Sequence, residues 1–213
     1  MNLIDGSLID QSLMGFALFS VVMSITPGPN NVMVTASGAT FGFARTVPHM
    51  FGIAIGFPIM LLIVGLGVDG ALHLYPGILD VMRVAGLAFL TYLAWRIATA
   101  APERVESGRA RPINLIEAAA FQWINPKAWL IAIGALSTFG AGRLQGSEQA
   151  MAQEVAALLL MGLIFFLACL PSVALWTAFG ARIGRMLNGA RARRVFNLSM
   201  AALLVASGIV GVF

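Results

Sequence analysis

Lys127 stands about halfway along an apolar stretch, in "FQWINPKAWL". A lysine at the centre of a membrane helix costs roughly 2.5–3.5 kcal/mol to insert, so such residues usually face a cavity and act there. The alternative is an ammonium that pairs with a backbone carbonyl and only locks the fold. The residues just before it say what the cavity could hold. Asn125 is a good N-cap, and Pro126 suits the first helical position, where no N–H is needed. Together they read as a new helix beginning inside an apolar span. A second interruption, "SITPGPNNVMV", spans Ser24 to Val34. Here Thr26 and Pro27 read as cap and first residue, with Gly28 and Pro29 opening the backbone further. A helix start presents free N–H groups and the positive end of a dipole, a ready site for an anion such as a carboxylate. Asn30 and Asn31 could bond a substrate amino group or cap the half-helix, and Gln122, one turn before Asn125, has the same ambiguity. The expected binding set is therefore Thr26, Pro27, Gly28, Pro29, Asn30, Asn31, Gln122, Asn125, Pro126 and Lys127.

Other chemistry-bearing residues are sparse. Lys127 and His49, the latter in "ARTVPHMFG", are the candidates for proton coupling. A satisfied interfacial imidazole is the plainer reading of His49, and His73 reads as inert. Glu117 complements a helix start, and Asp69 and Asp80 read as boundary residues. Trp95, Trp123, Trp129 and Trp176 read as packing or interfacial anchors. Cys169 is the only cysteine, which rules out an intrachain disulfide or redox pair. There is no HExxH, no GxSxG and no paired intramembrane aspartates, so the chain does not read as an enzyme. No metal site or cofactor is expected.

These residues need elements to hold them. The chain has 213 residues, 59% hydrophobic and only 10% charged, with mean hydropathy +0.89. A soluble domain is usually about 25% charged, so the expected class is an all-α membrane protein. Six spans are long enough to cross roughly 30 Å of hydrocarbon: about Leu13–Ala36, Phe43–Leu66, Val81–Ala101, Leu115–Thr138, Val155–Phe179 and Val195–Phe213. The net charge of +4 does not form a nucleic-acid face, because the basic residues flank apolar spans. Arg45, then Arg96, Arg104, Arg109 and Arg111, then Arg182, Arg185, Arg191, Arg193 and Arg194 fall in alternate connections. The opposite side has Arg143 and the edge residue Arg83. Positive charge inside then places both termini in the periplasm. The N-terminus lacks the basic region of a signal peptide and is expected to stay in the mature protein.

The polar segment "APERVESGRARPINL" divides one transporter domain, 1–213, into halves of about 11–101 and 114–213. "TPGPN" pairs with "NPKAW", and Pro58 with Pro171. Three helices per half require the second to be inverted. Two inverted three-helix repeats, with helices 1 and 4 broken at the midplane, are a pointer to a secondary transporter. Gly38–Gly42, Gly52–Gly56 and Gly180–Gly184 permit close helix approach. Only the second lies well inside an expected span, and it could pack helix 2 within the monomer or form a homodimer face.

At "TPGPNNVMV", "GFARTVPHMFGIAIG", "GLAFLTYLAW" and "FQWINPKAWL", and in outline at "NLSMAALLVASGIVGV", the chain resembles the LysE/RhtB family of amino-acid exporters. The resemblance covers essentially the whole chain. It implies a bacterial inner-membrane carrier that expels amino acids or close derivatives, driven by the proton gradient, and it assigns no role to His49. The alternatives are an efflux carrier for another solute or cation, and a non-transporting membrane subunit. Lys127 would repel a cation, and a passive spacer needs no polar groups at mid-membrane.

Overall fold

The structure, a computed structural model, describes residues 6–68, 77–100, 111–139 and 148–210. Every regular element among them is helical. His73, Asp69, Arg104, Arg109 and Arg143 lie outside the described residues, as do the side chains of Asp80 and Arg83.

The first expected span is two helices, α1 (Gly6–Ile25) and α2 (Pro29–Phe41), bent by 50° at the break. The cause is local. Pro27 disfavours a helical Thr26, Gly28 is fully extended at φ −169° and ψ 178°, and Pro29 sits in the first turn of α2, where its missing N–H costs nothing. The expected roles thus shift by two residues: Gly28 and Pro29 open α2, not Thr26 and Pro27. The Thr26 hydroxyl bonds back to the Val22 carbonyl of α1 instead.

α3 (Phe43–Ile63) runs into a wider turn at Val64–Val68, and α4 is Gly77–Ala98. The second break keeps the expected roles. α5 (Leu115–Phe121) passes through a tight turn, Gln122–Ile124, to Asn125, and α6 (Pro126–Phe139) begins there. The Asn125 Oδ1 accepts the Lys127 N–H at 3.2 Å. The start of α5 is more elaborate than a carboxylate beside a dipole. Asn114 and Glu117 form a reciprocal capping box, and Arg111 donates to both Glu117 oxygens at 2.7 and 2.5 Å.

α7 (Glu148–Met186) and α8 (Ala190–Val210) complete the chain. At 39 residues, α7 runs well past the expected 155–179, because nothing in "ARIGRM" stops a helix. It packs on α1, α2 and α3, while α3 also packs on α5 and α4 on α8. The glycine pairs explain two of these contacts. A Cβ at Gly38, Gly180 or Gly184 would strike the backbone of Thr177, Thr35 or Ala39, so α2 and α7 touch main chain to main chain. Gly180–Gly184 therefore lies inside a packed helix, contrary to expectation. Gly52 and Gly56 do the same for α3 against Leu115, Ala118 and Ala119 of α5, which places that pair within one chain.

Polarity runs inside out. Ser24, Asn31, Thr35, His49, Gln122 and Asn125 are buried, while Leu18, Val22, Leu163 and Leu167 are exposed. That distribution suits hydrocarbon surroundings, where backbone and side-chain polar groups must be satisfied internally. Among the described residues three helices are long and apolar enough to cross a bilayer, or four if the bent pair α1–α2 is one span.

Candidate functional site

Breaking α1 at Ile25 leaves its last carbonyls without helical partners, and side chains from three elements supply them. The Ser24 carbonyl accepts from Asn31 Nδ2 and from Ser172 Oγ, both at 2.9 Å. The Ile25 carbonyl accepts from the Trp176 indole at 3.3 Å. The Thr26 carbonyl accepts from Asn31 Nδ2 at 3.0 Å and from Lys127 Nζ at 2.7 Å. The ammonium thus lies at the negative end of α1, where a cation is favoured. Lys127 does lock the fold, as one reading of the sequence had it. An ammonium carries three donors, though, and this bond uses one.

The same ammonium faces the start of α2. A Cβ on Gly28 would lie 2.7 Å from Lys127 Cδ and 3.1 Å from its Nζ. Glycine is needed there for close approach, not for an unusual φ. It also leaves α2 with no side-chain cap, so the first-turn N–H groups of Asn30 and Asn31 remain available to an anion. Across the pocket Asn30 and Gln122 exchange two amide hydrogen bonds, at 2.9 and 3.3 Å, and Gln122 also donates to the Ala118 carbonyl at 2.9 Å. The two breaks, far apart in sequence, form one site.

Gly28, Asn30, Asn31, Gln122, Asn125 and Lys127 line a pocket of about 40 Å³. Pro29 and Pro126 are buried as helix openers without lining it, while Thr26 and Pro27 are exposed on the outer side of the break. The opposite wall is apolar: Ile53, Phe57, Ile131, Phe165 and Val173. Ser24 and Cys169 also line it, and the buried Ser24 Oγ has no hydrogen-bond partner. Sequence reasoning passed over Ser24 and Ser172, and read Trp176 as a packing or interfacial anchor. Ser172 and Trp176, four residues apart beside Pro171, put two hydrogen-bonding groups on one face of an apolar helix, which was the available signal. Among the described residues no carboxylate lines the pocket and no group of three or more potential metal ligands occurs. The arrangement suits binding of a small anion-bearing solute by ammonium, amide and backbone N–H.

His49 is elsewhere. It lines a larger cavity, of about 230 Å³, together with Ser37, Tyr92, Trp95, Arg96 and Arg111. The residue is 1% exposed, and neither ring nitrogen has a hydrogen-bond partner. It is therefore neither satisfied nor at an open interface. Leaving a buried polar group unpaired costs about 1–3 kcal/mol.

Curated relatives match part of the chain. The cysteine/O-acetylserine efflux proteins of Escherichia coli (strain K12), Shigella sonnei (strain Ss046) and Salmonella choleraesuis (strain SC-B67) are each 33% identical over 128 residues, 60% of this chain. The match spans 65% of each relative's length. No solved structure matches. The family model described as LysE type translocator matches residues 21–212, and the chain belongs to the LysE-type translocator family.

Proposed function

We propose that the chain exports small, uncharged-side-chain amino acids or their close derivatives from the cytoplasm, coupled to the proton gradient. The observation that carries this reading is the Lys127 ammonium 2.7 Å from the Thr26 carbonyl, beside the uncapped start of α2. A substrate carboxylate binds there, between the ammonium and the N–H groups of Asn30 and Asn31. The Asn30–Gln122 amides meet its amino group, and the wall of Ile53, Phe57 and Phe165 takes its side chain. With no carboxylate in the pocket, lysine and arginine have no counter-charge and are poor substrates. The names of the relatives, cysteine/O-acetylserine efflux proteins, fit such a substrate. About 40 Å³ holds one or two waters, so the pocket widens to admit an amino acid. Among the groups lining the two cavities, Lys127 and His49 are the candidates for proton exchange.

The direct test is efflux of labelled amino acids preloaded into cells with and without the protein. Threonine, serine, cysteine and O-acetylserine are compared with lysine and arginine. Export confined to the cationic pair would end this reading. A protonophore is expected to abolish concentrative efflux while removal of sodium changes little, and sodium dependence would reject proton coupling.

In this reading six spans cross a bacterial inner membrane as two inverted repeats, with α1–α2 and α5–α6 the broken members and both termini periplasmic. A C-terminal alkaline phosphatase fusion is then active and a C-terminal green fluorescent protein fusion dark. The opposite pattern would refute the orientation and, with it, the inversion of the halves.

A further inference from the structure

Both cavities are lined by residues of α2 and α3. On α2, Asn30 lines the pocket at the breaks, while Met33 and Ser37, three and seven residues on, line the larger cavity. On α3, Ile53 and Phe57 line the first and His49 the second. Residues at those spacings share a helix face. The step from Ile53 to His49 is one turn, about 6 Å along the axis, so His49 sits at the boundary between the two spaces. Its ring is buried with neither nitrogen partnered, although a neutral imidazole carries one donor and one acceptor. Ser37, on the same cavity wall, and Thr46, three residues before His49, are engaged elsewhere: they bond each other at 3.0 Å, and Thr46 also bonds the Gly42 carbonyl at 2.9 Å. At the rim stand two guanidinium groups, Arg96 on α4 and Arg111, the latter held by Glu117.

We propose that this larger cavity is a second binding site for the exported amino acid, on the cytoplasmic side of the pocket at the breaks. Its carboxylate is held at the Arg96 and Arg111 rim, and its zwitterionic head comes down to the donor and acceptor of His49 before the solute passes to Lys127. The proposal rests on the exporter reading above and adds to it a site that the broken helices do not supply. Arg111 is paired with Glu117 through both terminal nitrogens, so Arg96 supplies the net positive charge at the rim that favours an anionic group, and the cavity has about six times the room of the pocket below it, at about 230 against 40 Å³. His49 serves here as a hydrogen-bonding group on the wall of the larger cavity, one helical turn from the wall of the pocket below it, and the two sites act in series.

The test counts sites on the purified full-length protein by equilibrium dialysis with labelled O-acetyl-L-serine, L-serine and L-threonine, with efflux of the same probes measured in cells. Wild type is expected to bind two equivalents of an exported probe. Lys127→Met and His49→Leu each retain one, and His49→Gln, which keeps a donor and an acceptor, retains two. His49→Leu removes an unpaired polar group, so its thermal stability should hold or rise, while its KM for efflux rises about tenfold. A wild type that exports a probe yet binds one equivalent, with His49→Leu unaffected in KM, overturns the second site and leaves the exporter reading standing. An anionic phospholipid that co-purifies with wild type and is lost in Arg96→Gln, with amino-acid binding fixed at one equivalent, assigns the cavity to a lipid headgroup and also overturns it. A wild type that neither binds nor exports any probe removes the exporter reading, and the second site with it.

Discussion

Lys127→Met is expected to insert, fold and lose export. The substitution keeps the length of the side chain, removes a costly charge from the interior of a span, and leaves the Thr26 carbonyl its bond from Asn31 at 3.0 Å. In the proposed function, what disappears is the charge that meets the substrate carboxylate. A hydrogen bond to a charged group is worth roughly 1.5–3 kcal/mol, which is about a ten- to hundredfold loss of affinity. Arginine is not expected to rescue it. The side chain already lies against Gly28 with no room for a Cβ there, and the guanidinium fork is larger and does not release a proton. Asn125→Ala weakens the start of α6 by about 1 kcal/mol and reduces transport less. Wild-type efflux by a normally inserted Lys127→Met would leave the lysine a purely structural strut.

Alanine at Gly180 is expected to destabilise the protein, and alanine at Gly134 to do the reverse. A Cβ at Gly180 falls on the Thr35 carbonyl, whereas at Gly134 it meets nothing within 4 Å. At Gly180 the obstacle is backbone, which cannot swing aside as a side-chain tip does, so α2 and α7 must separate. The expected loss is on the order of 3 kcal/mol, the upper end for overpacking. At Gly134 the only change is helix propensity, a gain of up to about 1 kcal/mol. Thermal unfolding of the two variants in the same detergent measures the contrast. Equal midpoints would mean that α2 and α7 are not in main-chain contact.

The two breaks differ in how far they could be read from sequence, and the difference is physical. At Asn125–Pro126 cap and first residue are adjacent and act on their own turn, so local chemistry suffices. In "TPGPN" two prolines compete to open α2, and the outcome depends on the approach of Lys127, 101 positions from Thr26, to Gly28. That contact favours the residue without a side chain as the cap. The bonds from Ser172 and Trp176 to the end of α1 span 148 and 151 positions. No local pattern specifies them, although two hydrogen-bonding groups one turn apart in an apolar helix were a visible oddity. The placement of the glycine pairs followed from small-residue spacing only in part. The spacing announces a close contact but not its partner, so Gly52–Gly56 stayed ambiguous until α5 lay against it. His49 was misread because a histidine near an expected helix end suggests an open interface. Only the fold of α2, α4 and residues 111–113 over it makes it buried.

The main-chain contact of α2 with α7, and of α3 with α5, has a mechanical meaning. Helices interlocked backbone to backbone through Gly38, Gly180 and Gly184, or through Gly52 and Gly56, cannot slide without losing contact along their length, so each pair behaves as one stiff lever. The seam between the levers is different. There α3 meets α7 through side chains, with the Phe57 and Phe165 rings 3.9 Å apart and Pro58 against Gly162, and side chains can change rotamer while the helices tilt. Phe57 and Phe165 are also the wall of the pocket at the breaks. In the proposed function, the joint between the levers and the wall that yields to a solute are the same pair of rings.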